Sequence, residues 1–205
     1  MNKDSEIKDI KSRRVFDSRG NPTIEVDIIT KNNTLGRAMA PSGASTGSSE
    51  ALELRDKDDM YDGKDVKNAI NIINEELAPL LINKSCLNQE NFDFILNSFD
   101  KSVLKSKIGG NVSTALSLAN YICASKYIAK PLYEHCSINK KYTMPIPEIQ
   151  IFGGGAHAGN ISSFQDFLIF SPKKNNLLNF YQMTFNIFNT VKKELKKNNL
   201  LKGYS

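Results

Sequence analysis

Residues 23–30 alternate without a break: Ile24, Val26 and Ile28 fall on one face, Glu25 and Asp27 on the other. Alternation of period two marks a half-buried strand. Lys31-Asn32-Asn33-Thr34 is turn chemistry, and residues 35–40 return as a second strand, so the pair reads as an antiparallel hairpin. Residues 5–16 mix apolar and charged positions and supply a further strand candidate.

Helical spacing takes over after residue 60. One helix is predicted over 64–81, with Val66, Ile70, Ile73, Leu77 and Leu80 in phase. A second lies near 89–99 (Phe92, Ile95, Leu96, Phe99), and a third over 112–129 (Ala115, Leu116, Ala119, Ile122, Cys123). Strands followed by helices predict an α+β domain over residues 1–135. Past Pro145 and Pro147 the pattern changes. A short apolar run at 148–152 leads into Gly153-Gly154-Gly155, and residues 164–170 form another strand candidate. Residues 175–198 read as an amphipathic helix, with Leu178, Tyr181, Phe185, Phe188, Val191 and Leu195 on one stripe. The second region, 144–205, therefore offers two strands and a helix. That is too little for a closed sheet, so at least one strand edge is left open.

Composition excludes several function classes. The 205 residues are 40% hydrophobic and 24% charged, ordinary values for a globular chain. The net charge of +5 is scattered. Its densest cluster, Lys192, Lys193, Lys196 and Lys197, sits where a helix end is predicted and reads as a solvated terminus. No basic face with interleaved aromatics points to nucleic acid. No apolar run approaches a membrane span, and the charged first eleven residues do not form a signal peptide. Cys86, Cys123 and Cys136 are odd in number and lack C-x-x-C spacing, which fits free thiols in a cytoplasmic protein. With only His135 and His157, a multi-histidine metal site is not expected.

Three segments could carry chemistry. Asp17-Ser18-Arg19-Gly20-Asn21-Pro22-Thr23 lies between two strands and reads first as a structural turn around Asp17. Residues 41–49 (PSGASTGSS) have no side chains to bury, so the segment is either a linker or a lid that closes on a ligand. The third is GGGAHAGN (153–160) with Gln165 and Asp166. Glycines at a strand end allow close backbone approach, and His157 among small residues is poorly placed to be packed core. Asp166 stands in an apolar strand, so it either faces outward or is paired in a polar cavity.

In their order along the chain, DSRGNPTIEV (17–26), GRAMAPSGASTG (36–47), EALELRD (50–56), SKIGGNVSTALSLA (106–119), PLYEH (131–135), GGAHAGN (154–160) and QDFLIF (165–170) resemble the enolases. The resemblance covers nearly the whole chain. It implies an α+β N-terminal domain over 1–135, then the first strands and helix of an incomplete enolase-type (β/α) barrel over 144–205. It also implies Mg2+-dependent dehydration of 2-phosphoglycerate to phosphoenolpyruvate in glycolysis. Within that resemblance Ser45 belongs to the loop that closes on substrate and ligates the second Mg2+. His157 and Gln165 match substrate-contacting positions, and His157 and Asp166 are the catalytic candidates. Arg19 matches a segment that meets the partner in the enolase homodimer.

Two departures stand out. Asp166 falls where most enolases have glutamate, which retracts the carboxylate by on the order of 1 Å, a displacement that can cost about 100-fold in rate. Gln150 and Gly153 stand where the family usually has asparagines. Enolases also continue into a G-D-E-G-G acid segment, three metal-binding carboxylates and a catalytic lysine, and none of these positions falls within the 205 residues. A full barrel takes about 200 residues or more. The readings that remain are part of a longer working enolase, a naturally truncated non-catalytic interaction protein, and one half of a split enzyme. On every reading the 205-residue chain alone is expected to release no phosphoenolpyruvate from 2-phosphoglycerate and Mg2+. Turnover by the purified chain would contradict this.

Overall fold

A computed structural model of the chain describes residues 3–41, 43, 47–137, 142–155, 160, 162–171 and 176–200. The chain divides into two units, Met1–Lys140 and Lys141–Ser205.

The first unit is built on the alternation at residues 23–30. Strands β1 (Ile7–Phe16), β2 (Pro22–Thr30) and β3 (Leu35–Met39) form an antiparallel meander with β2 in the centre. Register is set by pairs such as Ile10↔Ile28 and Val26↔Ala38. Ile24, Val26 and Ile28 are completely buried, as the alternation predicts. They face helix α4 (Gly110–Tyr127), whose Val112, Ala115, Leu116, Ala119 and Cys123 complete the core.

The opposite face of β2 is less wet than the sequence implies. Asp27 is 6% exposed. A central strand has neighbours on both sides, and here both supply arginines across the ladder. Arg13 of β1 donates to Glu25 at 2.7 Å and to Asp27 at 2.9 Å. Arg37 of β3, the register partner of Asp27, donates to both of its oxygens at 2.6 and 2.8 Å. The Arg37 hydrogen bonds, with Arg13 beside them and against the cost of burial, hold the Asp27 carboxyl at about 2.

The helix predicted over 64–81 forms as α1 (Lys67–Asn71), a π-helical stretch (Ile72–Leu77) and α2 (Ala78–Leu81) in succession. Pro79 explains the wide turn. It has no N–H to give the carbonyl four residues back, and its ring crowds that carbonyl, so the preceding turn opens. Helix α3 (Gln89–Phe99) starts at Asn88, whose side chain accepts from Asn91 N. It ends at Asp100, which organises the loop to α4. Burial pushes the Asp100 carboxyl up, but donors outweigh it and hold it at about 2: Ser102 Oγ and the backbone N–H groups of Ile108, Ser102 and Lys107. A short helix α5 (Leu132–Cys136), too brief to show periodicity, follows α4. Cys86 and Cys123 are buried and Cys136 is exposed, all three as free thiols.

In the second unit, β4 (Ile149–Gly153) and β5 (Asp166–Ile169) pair antiparallel, followed by α6 (Leu177–Lys197). A standard β/α barrel has parallel strands, each followed by a helix. This region opens instead with a hairpin. In α6 only Phe180 and Thr184 are buried, and Leu178, Tyr181 and Phe185 of the predicted stripe are exposed.

Asp27 provides a test of the first unit. Its carboxyl lies near 2 in the fold against an ordinary 3.8. The lowered value adds stability that is present above about pH 4 and is lost as pH falls towards 2, worth about 2 kcal/mol. Asp27→Asn is therefore expected to lower the unfolding free energy by about that amount at neutral pH and to flatten its decline in acid. Urea unfolding at a series of pH values measures both. An unchanged acid limb in the variant would contradict the assignment.

Candidate functional site

Two sets of residues from the sequence motifs have defined surroundings, one in each unit. In the first unit the motifs brace one another around the 41–49 segment. The 17–23 segment is the structural turn expected of it: Asp17 Oδ1 accepts from Arg19 N at 2.9 Å and from Asn21 N at 2.8 Å, joining β1 to β2. Arg19 is exposed on that turn. Thr23 Oγ1 donates to Ala40 O at 2.8 Å, which fixes the start of the loop. Arg55 fixes the region beyond its end, donating through Nη1 to the carbonyls of Pro22 (2.5 Å) and Lys64 (2.6 Å) and through Nη2 to Glu53 at 2.7 Å. Asn111, on the first turn of α4, accepts from Leu54 N and donates to Leu54 O. Planar, multidentate guanidinium and amide groups suit this work because one side chain can satisfy several carbonyls at fixed angles. The described residues that flank the 41–49 segment are thus anchored to the sheet and to α4. Ser45 lies outside the described residues.

In the second unit the site is the β4–β5 hairpin. Ile149 pairs with Ile169 and Gln150 with Leu168, the register then shifts, and Phe152 pairs with Phe167 and Gly153 with Asp166. The extra residue is a β-bulge at Ile151. It places Gln150, Gly153, Asp166 and Leu168 on the exposed face, while Phe152 stacks on Phe167 at 4.0 Å between ring centres. On the exposed face Gln150 Nε2 donates to Asp166 Oδ1 at 2.8 Å. Asp166 thus faces outward, the first of its two sequence readings, and accepts from the Gln150 amide there. Gln165 is exposed beside it.

Gly154 serves the hairpin itself. Its N–H donates to Gln165 O at 2.7 Å, and a Cβ there would lie 2.3 Å from Phe164 O. Close approach at this glycine is to the chain's own backbone. His157 lies outside the described residues.

Gln150 is the residue whose contribution the sequence concealed. In the sequence it stood out as an amide in an apolar run and as a departure from the family's asparagine, but a strand without a bulge would put residues 150 and 153 on opposite faces.

A metal needs a set of oxygens that nothing else has claimed. Asp56, Asp58 and Asp65 gather within 4.8 Å, but both oxygens of Asp56 and of Asp65 and one of Asp58 already accept hydrogen bonds or an ion pair. Asp56 accepts from Lys67 N and Asn68 N at the start of α1, Asp58 from Met60 N, and Asp65 from Val66 N and from Arg14 at 2.6 Å. Mg2+ demands near-octahedral oxygen ligation, and this cluster does not fit it. The Gln165–Asp166 pair contributes a single carboxylate. Among the described residues no helix is long and apolar enough to cross a membrane.

Comparison with known proteins matches both units. The model of the enolase N-terminal domain matches residues 7–136, and that of the enolase C-terminal TIM barrel domain matches residues 141–203. Enolase 1 of Desulfitobacterium hafniense is 43% identical over 186 residues, 91% of this chain and 43% of the relative. The enolases of Methanococcus vannielii and Natranaerobius thermophilus are 38% and 39% identical over 197 and 196 residues, in each case 96% of this chain and 46% of the relative. The chain spans under half the length of these relatives. With two enolase domain models matched in order and this identity sustained over nearly every residue, the chain belongs to the enolase family.

Proposed function

We propose that this chain is the substrate-capturing part of an enzyme that dehydrates 2-phosphoglycerate to phosphoenolpyruvate. The reading rests on the Asp166 carboxylate, presented on the exposed face of the β4–β5 hairpin next to Gln165 and held there by an amide.

The reaction removes a proton from C2 and a hydroxyl from C3. Hydroxide is a poor leaving group, so the C3 oxygen must gain a proton as its bond to carbon breaks. In this proposal Asp166, in its acid form, supplies that proton, and water departs. In the reverse direction the same carboxylate takes a proton from the attacking water. The Gln165 amide hydrogen-bonds the substrate and orients C3 towards Asp166. His157 and Ser45 are assigned substrate contacts in the same proposal. The base that receives the C2 proton is not assigned among the described residues. Dependence on Mg2+ comes with the proposal as a requirement to be tested. The step given to Asp166 is a proton transfer between the carboxyl group and the substrate oxygen. A homodimer contact near Arg19 belongs to the same proposal.

The test uses the longest polypeptide in which the cell makes this chain. With 2-phosphoglycerate and Mg2+ it is expected to form phosphoenolpyruvate and to stop when a chelator is added. Asp166→Asn is expected to lower kcat by about 10²- to 10⁴-fold, the usual contribution of a positioned general acid. Absence of turnover by the wild-type polypeptide would overturn the proposal and leave the non-catalytic interaction reading.

A further inference from the structure

The one hydrogen bond to the Asp166 side chain among the described residues comes from Gln150, and its geometry depends on a third residue. A Cβ added to Gly153 would lie 2.8 Å from Gln150 Nε2 and 3.8 Å from its Cδ. The amide of Gln150 therefore lies directly over the bare face of Gly153 on its way to Asp166 Oδ1. Gly153 and Asp166 are register partners across the ladder, and the bulge at Ile151 turns Gln150 onto their face. We propose that Gln150 is a positioning residue for Asp166, and that the absence of a side chain at residue 153 is what gives its amide room to reach the carboxylate. The inference rests on the catalytic role proposed for Asp166 and adds how that group is aimed.

A long flexible side chain does not by itself hold a target still. Here three constraints converge on it. The backbone of β4 fixes where the Gln150 side chain leaves the strand. The open face of Gly153 supplies a path with nothing to go around. Asp166 has only two side-chain dihedrals, so one hydrogen bond at Oδ1 selects its rotamer and leaves the orientation of Oδ2 determined by the carboxylate plane. An amide suits this task because it offers N–H donors without a charge that would neutralise the carboxylate. The arrangement also accounts for the two departures in the sequence as one. A shorter acid at residue 166 is met by a side chain at residue 150 that is longer than asparagine, and the face between them at residue 153 is emptied.

Gly153 provides a variant that separates aiming from folding. Its φ is not in the left-handed region, so alanine is allowed on backbone grounds. The atom that a new Cβ meets is the far end of a movable side chain. Gly153→Ala is thus expected to leave the hairpin intact and displace the amide.

The first measurement needs no activity. The side-chain amide resonance of Gln150 in the 15N-labelled chain is expected to shift in both Asp166→Asn and Gly153→Ala. A resonance unmoved by either variant overturns the pairing, whatever the enzyme does. The second uses the active polypeptide. Gln150→Ala is expected to lower kcat roughly 10- to 100-fold with KM nearly unchanged, the cost of a loosened catalytic group. It should cost nothing further in an Asp166→Asn background. The concerted replacement Gln150→Asn, Gly153→Asn, Asp166→Glu is expected to recover most of the loss seen with Gln150→Asn alone. If the wild type turns over and Gln150→Ala retains full kcat, the positioning role is wrong while the proposed function stands. If the wild type does not turn over, the proposed function fails, and with it the catalytic meaning of the pair, while the resonance measurement still decides whether the pair exists.

Discussion

Strand β2 has to satisfy two faces that want different things, and the first unit is organised around that demand. Its apolar face, Ile24, Val26 and Ile28, is completely buried beneath α4. Its polar face is covered by the arginine side chains of β1 and β3, which leave Asp27 buried. Burying Asp27 alone would be costly. The ladder answers by placing Arg13 and Arg37 at neighbouring register positions, so that opposite charges meet across strands. The same meander delivers the ends that matter for the loop at 41–49. Pro22 and Thr23 begin β2, and their backbone carbonyl and hydroxyl are the atoms that hold Arg55 and Ala40. The base of the loop is therefore an extension of the sheet.

Four carboxylates of the first unit are held on both oxygens. Asp27 and Asp65 are gripped by guanidinium groups, while Asp56 and Asp100 accept N–H groups on both oxygens. A group so fully engaged stabilises a fold and is unavailable for proton transfer. Asp166 differs. Its partner among the described residues is one neutral amide, bound to one oxygen, on an exposed strand face. A general acid needs this kind of support, firm enough to aim it and weak enough to let it exchange a proton.

Regular periodicity carried most of the fold into the sequence. β2 and helices α3, α4 and α6 lie where period-two and helical spacing put them, and β1 and β3 fall on the other two strand candidates. Features that interrupt a period were invisible. Pro79 turns the middle of a predicted helix into π geometry, and α5 is five residues long. Tyr61 and Asp62 adopt left-handed backbone in a turn that no glycine at those two positions announced. The same limit applied at the site. Gln165 and Asp166 were legible as polar residues at the head of an apolar strand. Their relation to Gln150 was not, because a one-residue bulge changes which side chains share a face. Ser45 entered through motif resemblance and His157 through its small neighbours as well as the motif, and both lie outside the described residues.

The central claim is that Asp166 handles the departing hydroxyl and does not take the C2 proton. Those two events can be separated by isotope exchange. 2-Phosphoglycerate would be incubated in deuterated water with the Asp166→Asn form of the active polypeptide, and exchange at C2 followed alongside formation of phosphoenolpyruvate. The account predicts that C2 exchange continues while elimination is largely lost. If exchange and elimination fall together in equal proportion, Asp166 is acting at C2 and its assignment as the acid for the leaving water is contradicted.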